Sequence, residues 1–155
     1  MDVKDLITNI GLEFGLKLEL NEDSVASLIV DDRFEIEFEY VEDGDSLFVS
    51  YALGKLEGSG NEKIYKTLLD ANLYGKETGG AIFALDNRTN EVILFFKVKA
   101  GETDYELFRS MMERYLNTLI DWSTRYEALI QSVISESKES NTKDFDINSN
   151  HVIRV

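Results

Sequence analysis

Cysteine is absent from the 155 residues, so neither a disulfide nor thiolate chemistry is open to this chain. Histidine occurs once, at His151, four residues before the last residue, Val155. A catalytic imidazole needs an orienting partner and a walled pocket, which a chain end rarely supplies. With no cysteine and one histidine, a typical zinc site has no ligand set. Proline is missing too, and the sequence offers no physical reason for it. No apolar run approaches the about 20 residues of a membrane-spanning helix. The opening MDVKDLITNI carries Asp2 and Asp5 where a secretion signal would be basic. These absences predict a cytosolic protein. Basic residues are few, 16 against 30 acidic ones, and the net charge is −14. Such a surface repels phosphate backbones and anionic lipid heads, which argues against nucleic acid and membrane as partners. The acidity serves solubility alone, or it faces a partner that is basic or must be kept from aggregating.

The hydrophobic share of 43% supports a real core. A chain of this length is most simply one domain that buries about 70% of the surface its unfolded form exposes. Val3, Leu6, Ile7, Ile10 and Phe14 recur at helical spacing and predict a helix over 2–14, with Gly15 to close it. Strands are predicted over 24–30 and 34–40. In the second, Phe34, Ile36, Phe38 and Tyr40 alternate with Glu35, Glu37 and Glu39, the pattern of a strand with one wet, acidic face. Asp31-Asp32 and Asp43-Gly44 are turn signals, and Leu47, Val49, Tyr51 and Leu53 form a third strand. Short turns between strands imply an antiparallel meander.

Asn61 is placed to cap a helix over 62–73. Gly75 and Thr78-Gly79-Gly80 break the chain before strands over 81–85 and 92–98. The last strand is apolar on both faces, with Ile93 and Phe95 on one and Val92, Leu94, Phe96 and Val98 on the other. A second subunit is one way to cover the face that a helix of the same chain leaves open. Thr103 and Glu106 fit a capping box for a helix to about Ser135. Its stripe, from Phe108 through Met112, Tyr115, Leu119, Trp122, Tyr126 and Leu129 to Val133, suits packing across a sheet. The expected fold is α+β, a single domain α-β-β-β-α-β-β-α with a twisted antiparallel sheet over residues 1–136, followed by a flexible polar tail over 137–155 in which Val152, Ile153 and Val155 dock back.

Chemistry finds little purchase. Asp144, Asp146 and Asn148 imitate the start of an EF-hand loop, but Ser149 stands where glycine is needed and Val155 where the bidentate glutamate belongs. Gly58-Ser59-Gly60 precedes a helix without the remaining residues of a phosphate-cradling loop. The carboxylates of 31–45 lie in turns or on the wet face, whereas a general acid needs burial to raise its pKa. A carboxylate-dependent hydrolase is therefore the weaker reading. Apolar surface beside an open strand edge is what an extended peptide uses when it adds a strand.

Four strings in order resemble one family. DLITNIGLEFGLKL (residues 5–18) is similar to the opening helix of the class I type III secretion chaperones, the CesT or Tir-chaperone family. NEDSVASLIVDD (21–32) resembles its first strand and turn, and LLDANLYGKETGGAIFALD (68–86) its best-marked segment, followed by a strand like residues 91–97. The lack of proline after the first helix departs from the family's usual pattern, and the likeness, covering about residues 3–135, leaves the tail out. The resemblance implies a cytosolic homodimer in a Gram-negative bacterium. It implies binding of the N-terminal chaperone-binding region of a cognate effector in extended form, keeping it soluble and secretion-competent, with no cofactor and no catalysis. It further implies contact with the secretion ATPase or sorting platform. By position, effector contacts would fall on Leu6, Ile10, Phe14, Leu28, Val30, Phe34, Ile36 and Phe38, and dimer contacts on Ile64, Leu68, Leu69, Ile93 and Phe95. The alternative is an adaptor or sensory domain of the same fold not tied to secretion.

Overall fold

A computed structural model describes the backbone of residues 2–149 and the side chains of residues 2–139. The principal elements are α1 (Val3–Glu13), β1 (Val25–Val30), β2 (Phe34–Val41), β3 (Ser46–Lys55), α2 (Glu62–Asn72), β4 (Ile82–Asp86), β5 (Glu91–Lys99) and α3 (Tyr105–Ser149). This is the expected α-β-β-β-α-β-β-α order. The five strands form one antiparallel sheet in the order β1-β2-β3-β5-β4, so the final hairpin turns back and seats β5, not β4, beside β3.

Strand register follows from the alternation of side chains. Leu28 lies opposite Ile36, Phe38 opposite Val49, Val49 opposite Phe96, and Leu94 opposite Phe83. One face of the sheet thereby becomes continuously apolar, and a one-residue slip would send every one of these side chains to water. The β1–β2 turn is tight: Asp31 and Asp32 both take positive φ, and the Arg33 N–H donates to the Val30 carbonyl at 3.1 Å. That is the primed turn that matches strand twist, and aspartate is among the few residues that tolerate it.

The helices cover the apolar face. Leu6, Ile7 and Ile10 of α1 are buried there, and α1 ends as a Schellman turn with Gly15 at φ +69 and the Leu16 N–H bonded to the Gly11 carbonyl at 2.9 Å. The returning chain passes so close that a Cβ at Gly11 would sit 2.5 Å from that of Leu18. In α3, Phe108, Met112, Tyr115, Leu119, Trp122, Tyr126 and Val133 are buried, and Leu129 is half-buried. Two polar tips are satisfied by main chain: Tyr115 Oη donates to the Leu94 carbonyl and Trp122 Nε1 to the Glu77 carbonyl, both at 2.8 Å. The second bond ties the turn after α2 to α3.

Three local expectations change. The cap of α3 is Asp104, whose Oδ1 accepts from the Leu107 N–H at 2.8 Å; Thr103 instead donates its hydroxyl to the Lys99 carbonyl, so the capping box is not formed. Asn61 precedes α2 but makes no side-chain cap bond. The backbone stays helical past Ser135, where the helix was expected to end, through Ser149. Residues 150–155, including His151 and the docking side chains Val152, Ile153 and Val155, lie outside the described residues.

Candidate functional site

Most of the residues assigned by resemblance to effector contacts sit in the core. Leu6, Ile10, Leu28, Val30, Phe34, Ile36 and Phe38 are buried between helices and sheet, and only Phe14 reaches solvent, at 37% exposure. Leu12 and Leu16, which sequence reasoning passed over, are more exposed than Phe14 and flank it around the end of α1. Their positions off the main apolar stripe were the available signal.

The residues assigned to a dimer divide in the same way. Ile64 and Leu68 spend their apolar surface inside their own protomer, while Leu69 is 68% exposed. Beside it on the surface are Tyr65 and, past the end of α2, Leu73. A shallow groove of about 190 Å³ runs between α2 and β4, lined by Tyr65, Leu69, Phe83 and Leu85. Ile93 and Phe95 are half-buried on the sheet face opposite the helices.

The two edges of the sheet differ. At β4, the side chain of Asn72 bonds both main-chain groups of Phe83: Oδ1 accepts its N–H at 2.8 Å, and Nδ2 donates to its carbonyl at 3.0 Å. An amide there takes the place of a neighbouring strand. At β1, Asn21 closes only the first residue, accepting from the Val25 N–H at 2.9 Å and donating its own N–H to the Val25 carbonyl at 2.8 Å. Beyond Val25, β1 pairs with β2 alone among the described residues.

Among the described residues, the carboxyls with a displaced pKa are displaced downward. Arg109 beside Glu13 holds that carboxyl below its usual value, and the Arg88 N–H does the same for Asp86. A catalytic acid needs the opposite displacement. Burial pushes Tyr126 up to about 12; burial and the neighbouring Glu13 push Tyr105 to about 12. Tyr115, packed deepest, is raised further. Among the described residues no cluster of three or more His, Asp or Glu has metal-holding geometry, and no helix is long and apolar enough to cross a membrane. The Gly58–Gly60 turn opens onto a groove of about 560 Å³ against Ile64, Ile130 and Ile134, beside an antiparallel sheet rather than the parallel one of phosphate-cradling loops.

Residues 5–123 match the model of the Tir chaperone protein (CesT) family. The Chlamydia pneumoniae protein CPj0713/CpB0740 is 28% identical over 123 residues, covering 77% of this chain and 92% of its own. Among solved structures, a chain of the ExsC–ExsE complex superposes with a TM-score of 0.65 at 22% identity, covering 80% of this chain and 96% of its own. A chain of the Pseudomonas aeruginosa ExoU–SpcU complex gives 0.62 at 17%, covering 82% and 96%. A chain of the complex between the Yersinia pestis type III secretion chaperone SycH and a fragment of YscM2 gives 0.58 at 20%, covering 79% and 97%. At these identities the likenesses establish the fold.

Proposed function

Because this chain belongs to the Tir chaperone protein (CesT) family, the class I type III secretion chaperones, we propose that it binds the N-terminal region of a secreted effector in extended form and adds it to the sheet at β1. The observation that carries this reading is the asymmetry of the edges: Asn72 occupies β4 at Phe83, while β1 beyond Val25 has no strand on its side away from β2 among the described residues. An extended client gains main-chain hydrogen bonds there, and alternate side chains give selectivity. Leu12, Phe14 and Leu16 supply exposed apolar surface for the same client. Holding such a segment costs no chemistry and uses no cofactor.

The active unit in this reading is a cytoplasmic homodimer that delivers its client to the secretion ATPase or sorting platform. Leu69, Tyr65 and Leu73 supply the contact between copies, because they are among the apolar residues of the α2 region that the protomer leaves exposed. Hydrogen exchange tests the strand addition. Amides of Ser27 and Ile29, which alternate with Val25 on the side of β1 away from β2, slow when an effector's N-terminal segment is bound; unchanged exchange at both in a formed complex would place the client elsewhere.

A further inference from the structure

The five residues 16–20, Leu-Lys-Leu-Glu-Leu, run between α1 and β1 and belong to neither. They alternate as a strand does: Leu18 is buried and Leu20 half-buried, while Lys17 and Glu19 are exposed and pair with each other at 3.1 Å. Beyond the Leu16 N–H, which closes α1, no main-chain hydrogen bond joins residues 17–20 to any described residue. The chain then turns as a hairpin does. The Ser24 N–H donates to the Asn21 carbonyl at 3.0 Å, Ser24 takes φ +61, and the Asn21 N–H donates to the Val25 carbonyl at 2.8 Å. This is a three-residue hairpin loop whose last residue is left-handed. It sets the register of any continuation: Leu20 falls opposite Ala26, Glu19 opposite Ser27, Leu18 opposite Leu28 and Lys17 opposite Ile29. Both leucines then meet buried residues of β1. Bonded and non-bonded pairs alternate along an antiparallel ladder. After Asn21 and Val25 the bonded pairs are therefore Glu19 with Ser27 and Lys17 with Ile29, and Ser27 and Ile29 are the residues whose main-chain groups face away from β2.

Resting on the strand-addition reading above, we infer that residues 16–20 are a strap poised to close over β1 by continuing the Asn21–Val25 hairpin, and that a client reaches this edge only in competition with it. The closed strap takes the main-chain groups of Ser27 and Ile29 that a client strand would use. Closing leaves each side chain on the face it already occupies, Leu18 and Leu20 inward and Lys17 and Glu19 to water, so the core keeps its packing. In the structure the strap is drawn to α1 instead. Gly11 makes this possible, since a Cβ there would sit 2.5 Å from that of Leu18. Being part of the chain, the strap competes at the millimolar effective concentration of a short tether. A bare strand is therefore a poor client, and a good one adds contacts outside β1. Leu12 and Phe14, exposed just before the strap, are placed to supply them.

The test uses the full chain, which has no cysteine of its own, carrying Glu19→Cys and Ser27→Cys together. Both positions are exposed, so the reduced variant should keep the wild-type urea midpoint. When the strap closes, the two Cα atoms of this bonded pair come within about 5.5 Å, inside the span of a disulfide. Oxidised glutathione should form the bridge in the free chain. Glu19→Cys with Ile29→Cys, a diagonal pair at about 7–8 Å, should bridge at least about tenfold more slowly. A synthetic peptide of the chain's own residues 15–21 is the binding probe, read from the amide signals of Ser27 and Ile29. Glu19→Pro lacks the N–H that closes the strap and should bind this peptide about tenfold more tightly than wild type, whereas the bridged chain should not bind it. Equal bridging of the two cysteine pairs, no bridge in either, or peptide binding indifferent to Glu19→Pro would overturn the strap. If the strap fails while a bound effector fragment still slows the Ser27 and Ile29 amides, the strand-addition reading stands without it. A fragment that binds bridged and reduced chains equally and leaves those amides unchanged refutes the strand-addition reading, and the strap's role with it.

Discussion

Asn72 and Phe83 are joined as if the asparagine side chain were a short strand: its amide accepts from the Phe83 N–H at 2.8 Å and donates to the Phe83 carbonyl at 3.0 Å. One side chain thereby fastens the end of α2 to β4 and occupies part of a sheet edge. Removing it in Asn72→Ala should cost about 1–3 kcal/mol, the worth of two partly buried hydrogen bonds whose main-chain members lose their partner. Urea unfolding measures this. The exposed edge should also promote association at high concentration. A variant with unchanged stability would show that the pairing contributes nothing.

Gly11→Ala tests the approach of α1 to the returning chain. The added methyl would meet Leu18 at 2.5 Å, a distance that forces one of the two segments to move. The helix itself gains from alanine by up to about 1 kcal/mol, so any net loss measures the clash. A net destabilisation of about 1–3 kcal/mol is expected, read from the urea midpoint.

Leu69→Glu tests the contact between copies. Leu69 is exposed in the protomer, so the substitution should leave protomer stability within about 0.5 kcal/mol. Light scattering should show the wild type with twice the mass of the variant at micromolar concentration. A wild-type monomer, or a variant that stays dimeric, would contradict the assignment.

Three tyrosines packed wholly or partly into the core set an alkaline limit. Tyr105 and Tyr126 are raised to about 12 from the usual tyrosine value of about 10, and Tyr115 is raised as well. The folded state holds these protons after the unfolded state has released them. Their contribution is complete below about pH 10 and is lost as pH rises through about 12. Urea midpoints measured from pH 8 to 12 should be level at first and then fall. Tyr126→Phe should shrink the fall, because the residue that titrates is gone; an identical decline in the variant would mean that other groups cause it.

Much of the fold was legible because each element obeys one period. The strict alternation of Phe34, Ile36 and Phe38 with glutamates could only be a strand with one wet face, and the stripe from Phe108 to Val133 could only be a long helix with one covered side. Strand order was not legible, since hairpins fix which strands pair locally but not how the second hairpin meets the first. The α3 cap was misplaced by one residue because Thr103 and Asp104 both carry a capping oxygen. The helix beyond Ser135 gave no signal, since Ile134 is the last residue of its apolar pattern and the rest of the helix is mostly polar. Asn72 read as an ordinary helix-end residue; its pairing with Phe83 depends on a fold that only the tertiary structure supplies. The site was less legible than the fold. An apolar residue in a periodic pattern is equally suited to a core and to a docking surface, so Leu28 and Phe38 could not be told from Leu12 and Leu69 until burial separated them.

The central claim is tested most directly by co-expressing the full chain with N-terminal fragments of candidate secreted effectors encoded in the same genome and determining the mass of what co-purifies. A stable complex of two copies of this chain with one fragment is the predicted result. Retention of no fragment from the whole secreted set would contradict the account.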